Sequence, residues 1–110
     1  MYRATILTSQ TLSAATNTVS TRLRYIKGAS VQVSVSAVSS PVGQSVKLQA
    51  SNDNTNWVDI SGTANNITAI SEIMMNVSDI GFKWLRAAFL RTSGTVTVSA
   101  IIVGKEHNLN

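Results

Sequence analysis

A chain of 110 residues is enough for one domain and leaves little room for a second. Hydrophobic residues make up 44% and charged residues only 13%, about half the roughly 25% usual in globular chains, with a net charge of +4. No cysteine is present, which excludes a disulfide framework, a thiolate nucleophile and sulfur ligation of a metal. No apolar run approaches the roughly 18 residues of a membrane-spanning helix. The opening MYRATILTSQ lacks the charged leader and apolar stretch of a signal peptide, so no secretion signal is expected. Polarity comes from Ser, Thr, Asn and Gln, which hydrogen-bond at an interface without the desolvation penalty of a buried charge. Such a surface suits a subunit that packs against neighbours.

In chain order, 2–8 (YRATILT) and 18–26 (TVSTRLRYI) read as strands joined by a Ser/Thr/Ala-rich connection. The clearest alternation is 30–37 (SVQVSVSA), where Val31, Val33, Val35 and Ala37 point one way and Gln32, Ser34 and Ser36 the other. A turn at 39–44 (SSPVGQ), with the only proline, leads to 45–51, where Val46, Leu48 and Ala50 face inward and Lys47, Gln49 and Ser51 outward. The two segments are expected to form a hairpin. Turn-forming residues follow at 51–56, then a short strand at 56–60 ending at Ser61-Gly62. Residues 67–75 read as one or two strands, with a helical turn near 71–75 as the alternative and a turn at 78–81. The segment 82–91 has Leu85, Ala87 and Phe89 on one face and Trp84, Arg86 and Ala88 on the other. A tight turn at Thr92-Ser93-Gly94 is expected to fold it into a second hairpin with 95–105, where Val96, Val98, Ala100 and Ile102 alternate with Thr95, Thr97 and Ser99.

This spacing predicts an all-β fold, a single antiparallel β-sandwich or jelly-roll-like barrel of about seven to eight short strands. The whole chain, 1–110, is one domain: N-terminal strands or an arm over 1–27, a core over 28–105 and a tail over 106–110.

Few residues carry chemistry. His107 is the only histidine and lies in the tail, so no general base, triad or zinc site is expected and the chain is read as non-enzymatic. Asn52, Asp53, Asn54 and Asn56 make an oxygen-rich loop with Trp57 at its mouth, a candidate ligand or partner site. The loop lacks the acidic endpoint and glycine of an EF-hand, and Asx-turn chemistry accounts for the same residues, so no cofactor is expected. Trp57 and Trp84 are expected to fill core volume, with Trp57 the better candidate for stacking a sugar. Arg86 interrupts an apolar strand and is either a buried partner of Asp59 or Asp79, or an outward residue at a subunit contact. The local basic cluster is 22–27 (RLRYIK), where Arg22 and Arg24 would share a strand face and also serve as subunit contacts. Only Tyr25 lies nearby as an interleaved aromatic, so nucleic acid is not the expected partner.

Two stretches, SVKLQASNDNTNWVDISG and FKWLRAAFLRTSGTVTVSAIIVGK, resemble a recurrent kind of small bacteriophage structural protein. The matching residues are Leu48 to Asp53, Asn56 to Ile60, Lys83 to Arg86, Ser93 to Thr95 and Lys105, and GASVQVSVS extends the resemblance to about residues 28–105. The resemblance implies a virion component: a capsid vertex, decoration or spike protein, or a neck or tail part. Its partners would be copies of itself and other capsid proteins, and it brings no catalytic residues. SNDNTNW is also similar to a turn of galactose-binding, discoidin-like sandwiches, which implies the alternative of a glycan-binding module centred on Trp57.

Overall fold

The computed structural model describes residues 2–23, 26–78 and 80–106. Arg24, Tyr25, Asp79 and His107 lie outside the described residues, as does the rest of the predicted tail beyond Glu106. The strands, in chain order, are β1 (Tyr2–Leu12), β2 (Thr16–Asn17), β3 (Thr21–Arg22), β4 (Ile26–Val42) and β5 (Ser45–Ser51). They continue with β6 (Val58–Asp59), β7 (Asn65–Asn66), β8 (Ser71–Val77), β9 (Trp84–Leu90) and β10 (Ser93–Glu106). All pairings are antiparallel. A front sheet has the order β1-β10-β4-β8, and a back sheet β2-β9-β5-β6, with β3 also on β9 and β7 also on β5. The expected all-β sandwich forms, and Ser71–Val77 is a strand, not a helical turn.

The core lies between the sheets because alternation gives each long strand one apolar face. From the front sheet come Val31, Val33, Val35, Val96, Val98, Ala100 and Ile102; from the back sheet, Val46, Leu48, Leu85, Ala87 and Phe89. Removing one of these Val, Leu, Ile or Phe side chains fully from water stabilises the fold by roughly 1.5–3 kcal/mol. Two residues depart from the expected alternation: Ser51, expected outward, is buried with its hydroxyl bonding the loop that follows, and Ala37 is exposed while Val38 packs on the core instead. The cause at Ala37 is a bulge, since Val98 pairs with Val35 but its neighbour Thr97 pairs with Ala37, leaving Ser36 as the extra residue. An extra residue reverses the facing of everything beyond it.

Both expected hairpins are corrected. β4 and β5 follow each other through Gly43 and Gln44 but belong to different sheets, as do β9 and β10. Each connection is an arch that carries the chain across the core. The two arches stand side by side, since β4 pairs with β10 in front and β5 with β9 behind. They are tied together: the Thr92 N–H donates to the Val42 carbonyl at 3.0 Å, and the buried Gln44 Nε2 donates to the carbonyls of Ser93 and Gly94, each at 3.3 Å. Gly94 has φ +79°, and a Cβ there would fall on the carbonyl oxygens of Ser39 and Ser40. Pro41, placed in a turn by the sequence, lies inside β4 where the ladder to β10 shifts register, a position that tolerates its missing N–H.

Candidate functional site

The sequence-predicted residues converge on the outer face of the back sheet. β9 presents Trp84 and Arg86, and β5 presents Lys47 and Gln49, in register: Gln49 stands opposite Arg86, and Asp59 of β6 stands opposite Gln49. The Arg86 guanidinium lies over the Trp57 ring, 4.2 Å from its centroid, and Arg86 Nε donates to Gln49 Oε1 at 2.9 Å. Gln49 Nε2 donates to Asp59 Oδ1 at 2.9 Å, and Lys47 Nζ pairs with Asp59 Oδ2 at 2.8 Å. One continuous chain of contacts thus runs from Trp57 through Arg86, Gln49 and Asp59 to Lys47. On the other side of β9, Arg22 of β3 stands opposite Trp84 and covers its ring at 5.3 Å.

The electrostatics follow from these contacts. Lys47 and then Gln49 hold the Asp59 carboxyl below its ordinary range, while partial burial lowers the Arg86 guanidinium from its usual value. Arg86 lies on the outer face of β9, which is the outward half of the expectation that set it at a subunit contact. It reaches Asp59 only through Gln49 and not as a direct pair, while Asp79, the other partner expected, lies outside the described residues.

Both tryptophans correct the expectation of core packing. Neither belongs to the buried cluster, and both are half-buried on the outer face. An arginine stacked on each ring shelters it from water while the guanidinium stays solvated at its rim. The signal for this was the placement of arginines at register positions opposite or beside tryptophans, which becomes visible only once the strand partners are known.

The Asn-rich loop is held by its own side chains. Asp53 Oδ1 accepts the N–H groups of Thr55 and Asn56 at 2.9 and 2.8 Å and the Ser51 hydroxyl at 2.9 Å, and Oδ2 accepts Asn56 Nδ2 at 2.8 Å. Ser51 Oγ in turn accepts the N–H groups of Asp53 and Asn54, and Asn52 Oδ1 accepts the Lys83 N–H. These donors, the backbone N–H of Asn56 foremost, hold the Asp53 carboxyl well below the usual carboxylate range. The loop is a network of Asx turns whose carboxylate oxygens are already engaged, and Trp57 beside it is capped by Arg86. Among the described residues no group of three or more His, Asp or Glu side chains could hold a metal ion.

The back sheet also closes its own gaps. Where its short edge strands leave β9 and β5 uncovered, the Thr18 hydroxyl accepts the Ala87 N–H and the Thr63 hydroxyl accepts the Leu48 N–H, each at 3.0 Å. Both threonines are buried.

The front sheet differs. Its outer face carries Thr97, Ser99, Ile101 and Val103 of β10, Ser30, Gln32 and Ser34 of β4, and Glu72, Met74 and Asn76 of β8. Across 30–37, 71–76 and 95–103 the only charged residue is Glu72. Its Oε1 accepts Gln32 Nε2 at 2.8 Å and the Ser34 hydroxyl at 2.7 Å, so the carboxylate folds back over the sheet. Sequence reasoning did not single out Glu72, since its two partners lie about forty residues away.

No protein-family model and no curated protein matches the chain. Among solved structures it is similar to the crystal structure of the SPBc2 prophage-derived protein YomS, with a TM-score of 0.61 and 13% sequence identity over 92% of each chain. At that identity the likeness is one of fold: the chain shares its sandwich, nearly end to end, with a phage-derived protein.

Proposed function

We propose that this chain is a non-enzymatic structural component of a bacteriophage virion. It assembles with copies of itself or with the major capsid protein, as a capsid vertex, decoration or spike component. The observation that carries the reading is the front sheet. Over 30–37, 71–76 and 95–103 its outer face carries one charge, that of Glu72, among hydroxyl and amide groups, with the exposed Arg3 and Lys105 at one end; among the described residues its outermost strands, β1 and β8, pair on one side only. Docking such a face or edge onto a neighbour strips water from few charges and offers backbone groups as donors and acceptors. The resemblance of the sequence to small phage structural proteins and the shared fold with a prophage-derived protein support the same reading.

The test is the molar mass of the purified protein by light scattering across a concentration series. A defined oligomer, reached by mass action as concentration rises, is the expected result. A strict monomer at every concentration overturns self-assembly and leaves docking on a different capsid protein, tested by co-sedimentation with phage capsids.

A further inference from the structure

We infer that β8 is the edge through which two copies of this chain join, the two β8 strands running antiparallel about a two-fold axis at Met74. The inference rests on the assembly reading above and names its partner, a second copy.

The first ground is the state of the edge. β8 pairs with β4 over an unbroken ladder from Ala29–Val77 to Val35–Ser71, and among the described residues nothing pairs with its other side. The opposite edge, β1, is interrupted by two register shifts, which spoil it as a template. A straight, unpaired edge is normally guarded by a lysine, a proline or a bulge. β8 has none of these: its sequence is SEIMMNV, and its one charge is turned back onto β4 by Gln32 and Ser34. The back sheet, by contrast, spends two buried threonines on closing its open positions.

The second ground is the match of the strand to itself. With Met74 opposite Met74, the antiparallel register sets Ile73 opposite Met75, Glu72 opposite Asn76 and Ser71 opposite Val77, so all seven residues of β8 pair. Ile73 and Met75 face the core side, and their pairing continues the interior from one copy to the other. On the outer side the two Met74 side chains, each 55% exposed, cover one another. Each Glu72 meets an amide, and no like charges face each other. Centring on Ile73 or Met75 leaves only five paired positions, and centring on Glu72 sets two carboxylates opposite, which is destabilising. A register displaced by one residue sets inward side chains against outward ones. The isologous pair would fuse two four-stranded front sheets into one eight-stranded sheet, doubling the weakly charged face.

The chain has no cysteine, so single cysteines report the register directly. Met74→Cys, treated with a thiol linker too short to span four residues, is expected to yield a covalent dimer on a denaturing gel. Glu72→Cys and Asn76→Cys are each expected to stay uncrosslinked alone and to crosslink when mixed. Met74→Lys, which places two ammonium groups at the axis, should weaken the dimer at least tenfold by light scattering while leaving the far-UV spectrum unchanged. A wild-type oligomer in which Met74→Cys fails to crosslink, or in which Glu72→Cys crosslinks to itself, overturns the β8 pairing but leaves the assembly reading intact. A wild-type monomer with no crosslinking at Met74 overturns both the pairing and self-assembly.

Discussion

On the back sheet, Arg86 covers Trp57, Arg22 covers Trp84, and Gln49, Asp59 and Lys47 complete a run of bonded side chains, while buried threonine hydroxyls fill the gaps in the ladder. On the front sheet, a hydroxyl-rich stretch carries one folded-back carboxylate, with Arg3 and Lys105 at one end and, among the described residues, nothing paired to the outer side of β8. Both faces grow from the same alternation of apolar and polar residues, so alternation alone does not decide what a face is for. The difference lies in whether the outward side chains have found partners within the chain. A face whose charges and rings already bond one another gains little from a neighbour, whereas one with a long open edge and few charges to desolvate gains more.

The arches keep these faces on opposite sides of the molecule, so the largest effect is expected where they touch. Gly94→Ala drives a Cβ onto the Ser39 and Ser40 carbonyls at a left-handed φ and should cost on the order of 3 kcal/mol in chemical denaturation. Arg86→Ala tests whether the back face is a stabilising network. It removes a cation–π contact and a hydrogen bond and should cost about 1–2 kcal/mol, with little change in oligomer mass. Arg86→Lys should recover only part of this, because an ammonium cannot both lie flat on the ring and present the Nε donor.

A smaller effect is expected from pH. Asp53 and Asp59 both have carboxyl groups lowered in the folded state. Their stabilisation is therefore complete above the unfolded value near pH ~3.9 and is lost as pH falls through the folded values. Trp57 emission, read in a Trp84→Phe background, should change below about pH 4 as Asp59 releases Gln49, and Asp59→Asn should remove that component. The smallest effect belongs to the front face. Ser34→Ala loses a solvent-exposed bond to Glu72 and should change stability by no more than about 0.5 kcal/mol. A loss as large as that of Arg86→Ala would erase the contrast between the faces.

Much of the fold was legible in the residues. The inward sets Val31, Val33, Val35 and Val96, Val98, Ala100, Ile102 are those that period-two alternation picks out. What alternation does not carry is the partner of each strand. A glycine turn between two alternating segments serves a hairpin and an arch alike, so the turns at Gly43 and Gly94 predict hairpins although both cross between sheets. Nothing local marks Ser36 as a bulge, so alternation alone turns Ala37 inward. Trp57 and Trp84 were expected inside because their size favours burial. Arginine covers from β9 and from β3 supply that shelter on the outside, and pairing across distant strands is invisible in a single sequence. The Asx-turn chemistry of residues 51–56 was legible because its donors and acceptors are sequence neighbours.

Under the proposed assembly the front sheet meets a second copy through β8, and the bonded side chains of the back sheet meet none. Amide hydrogen exchange at low and high protein concentration separates the two sheets. Exchange is expected to slow with concentration over residues 71–77, with 45–51, 57–59 and 84–90 unchanged. Slowing confined to the back-sheet strands, or no dependence on concentration anywhere, would overturn the proposed assembly.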